Sequence, residues 1–209
     1  MADDLKYGYK GAEPTQSFGN NTGVFDPNDI NNLIADNKWT TFGQLELIET
    51  VNASSVSSFD FSTLGTYNVH FLTMNNITSA STPNLYFRFY ESGVLETASV
   101  YQRAMQYGYV NGTFGESKST AEAGLRASFQ LSSATNSNAG QYVYFYNLQD
   151  SSKYSFATMH RFQFEHSVSN WVFGFGSQVL PQASEVTAIQ VYSASAFSGT
   201  FSLYGIRYS

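Results

Sequence analysis

From about Leu45 onward, apolar and polar positions alternate with a period of two. That is the spacing of strands, whose successive side chains point to opposite sides of a sheet. Tyr67, Val69 and Phe71 alternate with Asn68, His70 and Leu72. Leu85, Phe87 and Phe89 share one face of LYFRFY, and Val143 and Phe145 one face of YVYFYNL. Tyr154, Phe156, Phe162 and Phe164 share a register in YSFATMHRFQF. NWVFGFG, VTAIQVYSA and GTFSLYGIRY follow, separated by turn-rich stretches such as NNITSASTPN, SSATNSNAG and LPQAS. In the final stretch Phe201, Leu203 and Gly205 oppose Thr200, Ser202 and Tyr204. This predicts a strand held between two neighbours, which ties the chain end into a sheet. Seven or eight strands without an intervening helix predict an all-β, antiparallel, jelly-roll-like β-sandwich over residues 46–209.

Residues 1–45 follow no such period and read as an extended N-terminal arm. They are rich in Gly and Asn, with scattered aromatics: Tyr7, Tyr9, Phe18, Phe25, Trp39 and Phe42. Such a segment buries no core of its own. Its rings are either anchors on another surface or packed on the body of the same chain. One short helix, about 27–36, is signalled by FDPNDINNLIADN. Asp26 suits the N-cap, Pro27 the first helical position and Asp29 the first turn. Ile30, Leu33 and Ile34 make an apolar stripe onto which Phe25 can staple. About ten residues are too few for a helix to stand alone in water, so this one must dock.

Composition sharpens the picture. The chain has 209 residues, with 18 Phe and 15 Tyr but only 12% charged residues. That is about half the charge of an ordinary soluble domain. Ser, Thr, Asn and Gln must therefore cover the outside. The net charge is −6, and residues 1–50 hold eight carboxylates against three lysines. No basic stripe of the kind that binds nucleic acid is present. With no cysteine, disulfides and thiolate chemistry are excluded. No apolar run approaches a membrane span. The start, MADDLKYGYKG, lacks the layout of a signal peptide, which predicts synthesis and use without Sec export.

Candidate chemistry is sparse. His70, His160 and His166 all sit in strand contexts, and His160 and His166 share a face if their strand stays regular. A metal would need a third ligand from elsewhere, so hydrogen-bonded imidazoles are the favoured reading. Glu91, Glu96, Glu116, Glu122 and Glu165 are carboxylates of the type glycoside hydrolysis uses, but no spacing selects a pair. Nucleophile-elbow, phosphate-loop and zinc-protease motifs are absent. We expect no enzyme activity, metal or cofactor. Tyr107, Tyr109 and Phe114 flank an Asn111-Gly112 turn and form a candidate surface ligand loop. Trp171, Phe173 and Phe175 alternate in a strand, either as rings stacked on sugars or, the favoured reading, as core.

The order of ASSVSSFDFSTLGTYNVHFLTMNNI, LYFRFYESG, a Tyr- and Gly-rich middle and SGTFSLYGI resembles a domain of tailed-bacteriophage virion structural proteins. The closing strand, Gly199, Thr200, Phe201, Leu203, Tyr204, Gly205 and Ile206, carries most of the likeness. The resemblance spans about three quarters of the chain. It implies a sandwich on the outer surface of the virion, assembled in the bacterial host cytoplasm. The leading expectation is a capsid decoration (cement) protein. Tyr7, Tyr9, Phe18, Phe25, Ile30, Leu33, Ile34 and Trp39 would form its assembly interface. Its partners would be the major capsid protein or tail proteins and further copies of itself, by analogy as a homotrimer, with no nucleic acid or membrane. The alternatives are a tail fibre recognising host surface glycan and a free carbohydrate-binding module.

Overall fold

The computed structural model describes residues 27–36, 45–79, 81–133 and 138–207. The chain separates into two units, residues 1–43 and 44–208, each described by itself. In the first, helix α1 runs Pro27–Ala35, with Ile30 and Leu33 half-buried and Ile34 exposed. Asp26, Phe25, Tyr7, Tyr9, Phe18 and Trp39 lie outside the described residues.

The second unit is all-β and antiparallel, as its alternation predicts. Its strands are β1 (Leu45–Phe61), β2 (Val69–Ser79), β3 (Leu85–Glu91), β4 (Val94–Leu95), β5 (Tyr101–Tyr109) and β6 (Phe114–Glu122). They continue as β7 (Leu125–Arg126), β8 (Ala139–Tyr146), β9 (Tyr154–Glu165), β10 (Asn170–Ala183) and β11 (Val186–Ile206). Among the described residues the sandwich-like body has eleven strands, more than the seven or eight expected, and all belong to one sheet curled into a half-barrel.

Strand β11 makes this possible. The two strands expected at VTAIQVYSA and GTFSLYGIRY are a single strand of 21 residues. One edge of β11 pairs with β1 along its length. The other pairs with β3 up to Ser193 and with β2 from Phe197. Opposite that change of partner, β1 carries register shifts between Ala53 and Ser58. There Ser55 adopts a left-handed φ of 54° and its N–H donates to Ser198 Oγ at 3.0 Å. Bulges of this kind bend strands. Beyond the bend the larger wall continues through β2, β8, β9, β10, β5 and β6. The smaller wall adds β3, then β4 and β7.

The core lies between the walls. The smaller wall contributes Phe61, Phe87, Phe89, Ile189 and Val191; the larger contributes Leu72, Met74, Val143, Phe145, Met159 and Leu203. Phe145 joins them, edge-on to Phe87 at 5.3 Å and to Phe89 at 5.9 Å. Tyr101, also buried, accepts the Phe89 N–H at 3.0 Å. Removing the Phe145 ring would open a cavity where neither wall can close alone. We expect Phe145→Ala to lower stability by about 3–5 kcal/mol in chemical denaturation.

Candidate functional site

Each strand of the larger wall has one face on the core and one facing out. In β8 the inward residues are Ala139, Gln141, Val143 and Phe145, leaving Tyr142, Tyr144 and Tyr146 outside. In β9 the inward set is Ser155, Ala157, Met159, Arg161 and Gln163. Phe156, His160, Phe162 and Phe164 therefore share the outer face. In β10 Val172, Gly174, Gln178 and Leu180 point inward, so Trp171, Phe173 and Phe175 are outside. This corrects the core reading of those three rings. The inward positions here are held by Ala157, Met159, Arg161, Gln163 and Gly174, with Phe129 stacked over Arg161.

Antiparallel pairing sets these outer residues side by side. One row runs Ser202, Thr73, Tyr142, His160, Phe175, Gln106 and Glu116 across six strand pairs. A second runs Tyr204, Phe71, Tyr144, Thr158, Ser177, Ala104 and Lys118. A third runs Gly140, Phe162, Phe173, Gly108 and Phe114. The rings touch. Tyr142 stacks on His160 at 5.3 Å and Phe162 on Trp171 at 5.1 Å. Phe71 contacts Tyr142, Tyr144 and Tyr204. Phe114 meets Phe173 edge-on above Gly108, where a Cβ would lie 2.6 Å from the Phe173 ring. Glycine at that position is what lets both rings lie over the strand.

Much of this ring surface is open: Phe114 is 73% exposed, Tyr154 54%, Phe162 48%, Phe175 42%, Tyr142 39% and Phe173 38%. The outward positions of β2, β8, β9, β10 and β5 hold no charged residue. Charges begin at the border, with Glu116–Lys118 on β6 and Asp150–Lys153 at the β8–β9 turn, each pair 2.6 Å apart. Those partners hold the Asp150 carboxyl down at about 2. The outer face of the smaller wall differs. There Tyr90 donates to Asp60 at 2.8 Å, and Arg88 lies 3.7 Å over the Tyr192 ring.

The expected ligand loop does not converge. Strands β5 and β6 form a hairpin around Asn111-Gly112, and Tyr107 and Tyr109 project to the face opposite Phe114. Tyr107 packs against Phe129, and Tyr109 donates to Glu165 at 2.9 Å. Burial and that carboxylate push the Tyr109 hydroxyl up to about 12. His166 leaves the strand for a short 3-10 turn, so it shares no strand face with His160. Among the described residues no group of three or more His, Asp or Glu could hold a metal. Of the carboxylates, Glu122 pairs with Arg103 and Arg126. Glu91 is pushed up by burial and by neighbouring Glu96.

Among the buried polar groups, Arg161 was unforeseen, whereas His70 is a hydrogen-bonded strand imidazole of the kind expected. Arg161 is 4% exposed and lies against Gly174, where a Cβ would sit 2.7 Å from its Nε. Its guanidinium stacks 3.8 Å over Phe129, and none of its three nitrogens has a hydrogen-bond partner. Burial holds its pKa down at about 9. His70 is fully buried, with Nε2 donating to the Leu64 carbonyl at 2.8 Å, and burial pushes its pKa down.

No known protein family matches the chain, and no curated protein matches it. A solved structure of a protein of unknown function from Shewanella oneidensis MR-1 aligns over 91% of this chain and all of that one, at 10% identity. Its TM-score of 0.16 is too low to carry a likeness of fold.

Replacing a buried charge that lacks hydrogen bonds with an apolar side chain of similar size is often neutral or stabilising. We expect Arg161→Met to raise the denaturation midpoint, by about 1–3 kcal/mol of stability; a loss would show the guanidinium bonded in solution. For His70, the folded chain holds the proton less tightly than the unfolded one. Stability is therefore full above the ordinary histidine value of about 6.5 and falls as pH drops towards the folded-state value. The midpoint loss between pH 7 and pH 5 should be smaller in His70→Gln than in the parent chain.

Proposed function

We propose that this chain is a structural protein of the outer surface of a tailed-bacteriophage virion, working by contact and not by catalysis. In the leading version it decorates the capsid, the N-terminal arm serves as anchor, and the sandwich meets neighbouring subunits. The observation that supports a contact role is the uncharged aromatic face of the larger wall. Contiguous exposed apolar surface of this extent marks an interaction site. Its composition, aromatic at the centre with charges only at the rim, is that of a protein–protein interface. The virion setting rests on the resemblance of the Gly199–Ile206 strand to its counterparts in phage structural proteins. A tail fibre that recognises host glycan is the second reading, favoured by the hydroxyls and amides of Thr73, Ser177 and Gln106 set among the same rings.

Immunogold electron microscopy of intact particles, with an antibody against this chain, tests the setting. Label spread over the heads is the expected result. Label confined to tails would replace decoration with the fibre reading, and unlabelled particles would remove the virion role.

A further inference from the structure

We propose that the outer face of the larger wall is a two-fold contact with a second copy of this chain. The inference rests on the contact reading above and names its partner. The first argument is area. A fully buried aromatic side chain removes roughly 200 Å² from water, so the six open rings together leave roughly 600 Å² uncovered. The Ser, Thr and Gln side chains between them bring the face close to the roughly 800 Å² that each partner contributes to a stable interface.

The second argument is charge. The chain carries −6, and two copies repel wherever acidic surfaces meet. On the outer face of the larger wall the strands from β2 to β5 carry no charge, so close approach costs little there. At the rim, acid and base lie two residues apart, Glu116 beside Lys118, with 66% and 75% of their side chains exposed. A two-fold axis can set Lys118 of one copy opposite Glu116 of the other. The border is then complementary to itself.

The third argument is geometry. A face that meets a copy of itself is necessarily related by a two-fold axis, whereas a ring of three needs two different faces. The other broad outer face, that of the smaller wall, carries Asp60 and Arg88 among its central rings, charges that a copy of the same face would have to desolvate. Its rings are tyrosines set among those charges, with Tyr86 stacked on Tyr192 at 5.3 Å, so it is a more polar face than the first. The rings are also held in place by one another, as in the Tyr142–His160 and Phe162–Trp171 stacks. Little side-chain freedom is then lost on association.

Sedimentation velocity on the full chain from 1 to 100 μM tests this, with Phe175→Glu and Phe114→Glu as variants. Both side chains point to solvent, and circular dichroism checks that the variants fold. The parent chain should sediment as a dimer. Phe175→Glu should weaken association by at least about thirtyfold, the loss typical of a central interface residue, and Phe114→Glu, on the border strand β6, by less. Because the chain has no cysteine, a second readout is clean. Ser177→Cys, exposed at the middle of the face, should cross-link into a covalent dimer with a short bismaleimide. Ser57→Cys, exposed on β1, should not.

A parent chain that stays monomeric overturns the proposal, as does an oligomer that Phe175→Glu leaves intact. A monomer that binds dextran through the face would also overturn it, in favour of a glycan. If the parent is monomeric but Phe175→Glu is lost from particles, this inference fails while the contact reading stands with another protein as partner. If Phe175→Glu changes neither association nor incorporation, both fail.

Discussion

The body depends on one strand serving two walls. β11 must pair with β1 on one edge while changing partner from β3 to β2 on the other. That change requires the bend at Ser193–Phe197, and β1 must bend with it, which is what the bulge at Ser55 supplies. Once the sheet has turned back on itself, Phe87 and Phe89 are carried over Phe145 and the interior closes. The same turn decides which side of every other strand is inside. Core, bend and outer face are consequences of one pairing pattern.

The alternation along the chain made the class of fold legible. Leu85, Phe87 and Phe89 fell on one face in the sequence and lie in the core. Phe201, Leu203 and Gly205 did the same. Alternation fails where both faces of a strand are apolar. In β9 one register holds Phe156, Phe162 and Phe164, the other Ala157, Met159, Arg161 and Gln163. Hydrophobicity alone would bury the first. The structure buries the second, where Phe129 covers Arg161 and the Phe129 carbonyl accepts from Gln163. Those contacts join segments far apart in sequence, and no local window contains them. The strand count fell short for a different reason: β4 and β7 are two residues long and β6 is mostly polar, so none of them shows apolar alternation, whereas the bend inside β11 reads locally as a break that adds a strand.

The site was less legible than the fold. The Asn111-Gly112 turn pointed correctly to a hairpin, but a turn does not say which face each ring takes. Tyr107 and Tyr109 differ from Phe114 in strand parity across the turn, and that parity puts them on opposite sides of the sheet. The absence of charge from one register of five strands was visible in the sequence. It becomes informative only once those strands are known to be adjacent. Arg161 gave no local signal, since an arginine between two aromatics in a strand ordinarily faces water.

The double duty of β11 also governs how the chain folds as it is made. This strand leaves the ribosome after every other strand described, yet it belongs in the middle of the sheet. Until it emerges, β1 has no partner, β2 and β3 each have an open edge, and the two walls are not joined. The long separation in sequence between β1 and β11 makes their pairing a slow, nonlocal step. The joining of the two walls therefore waits for the last strand described.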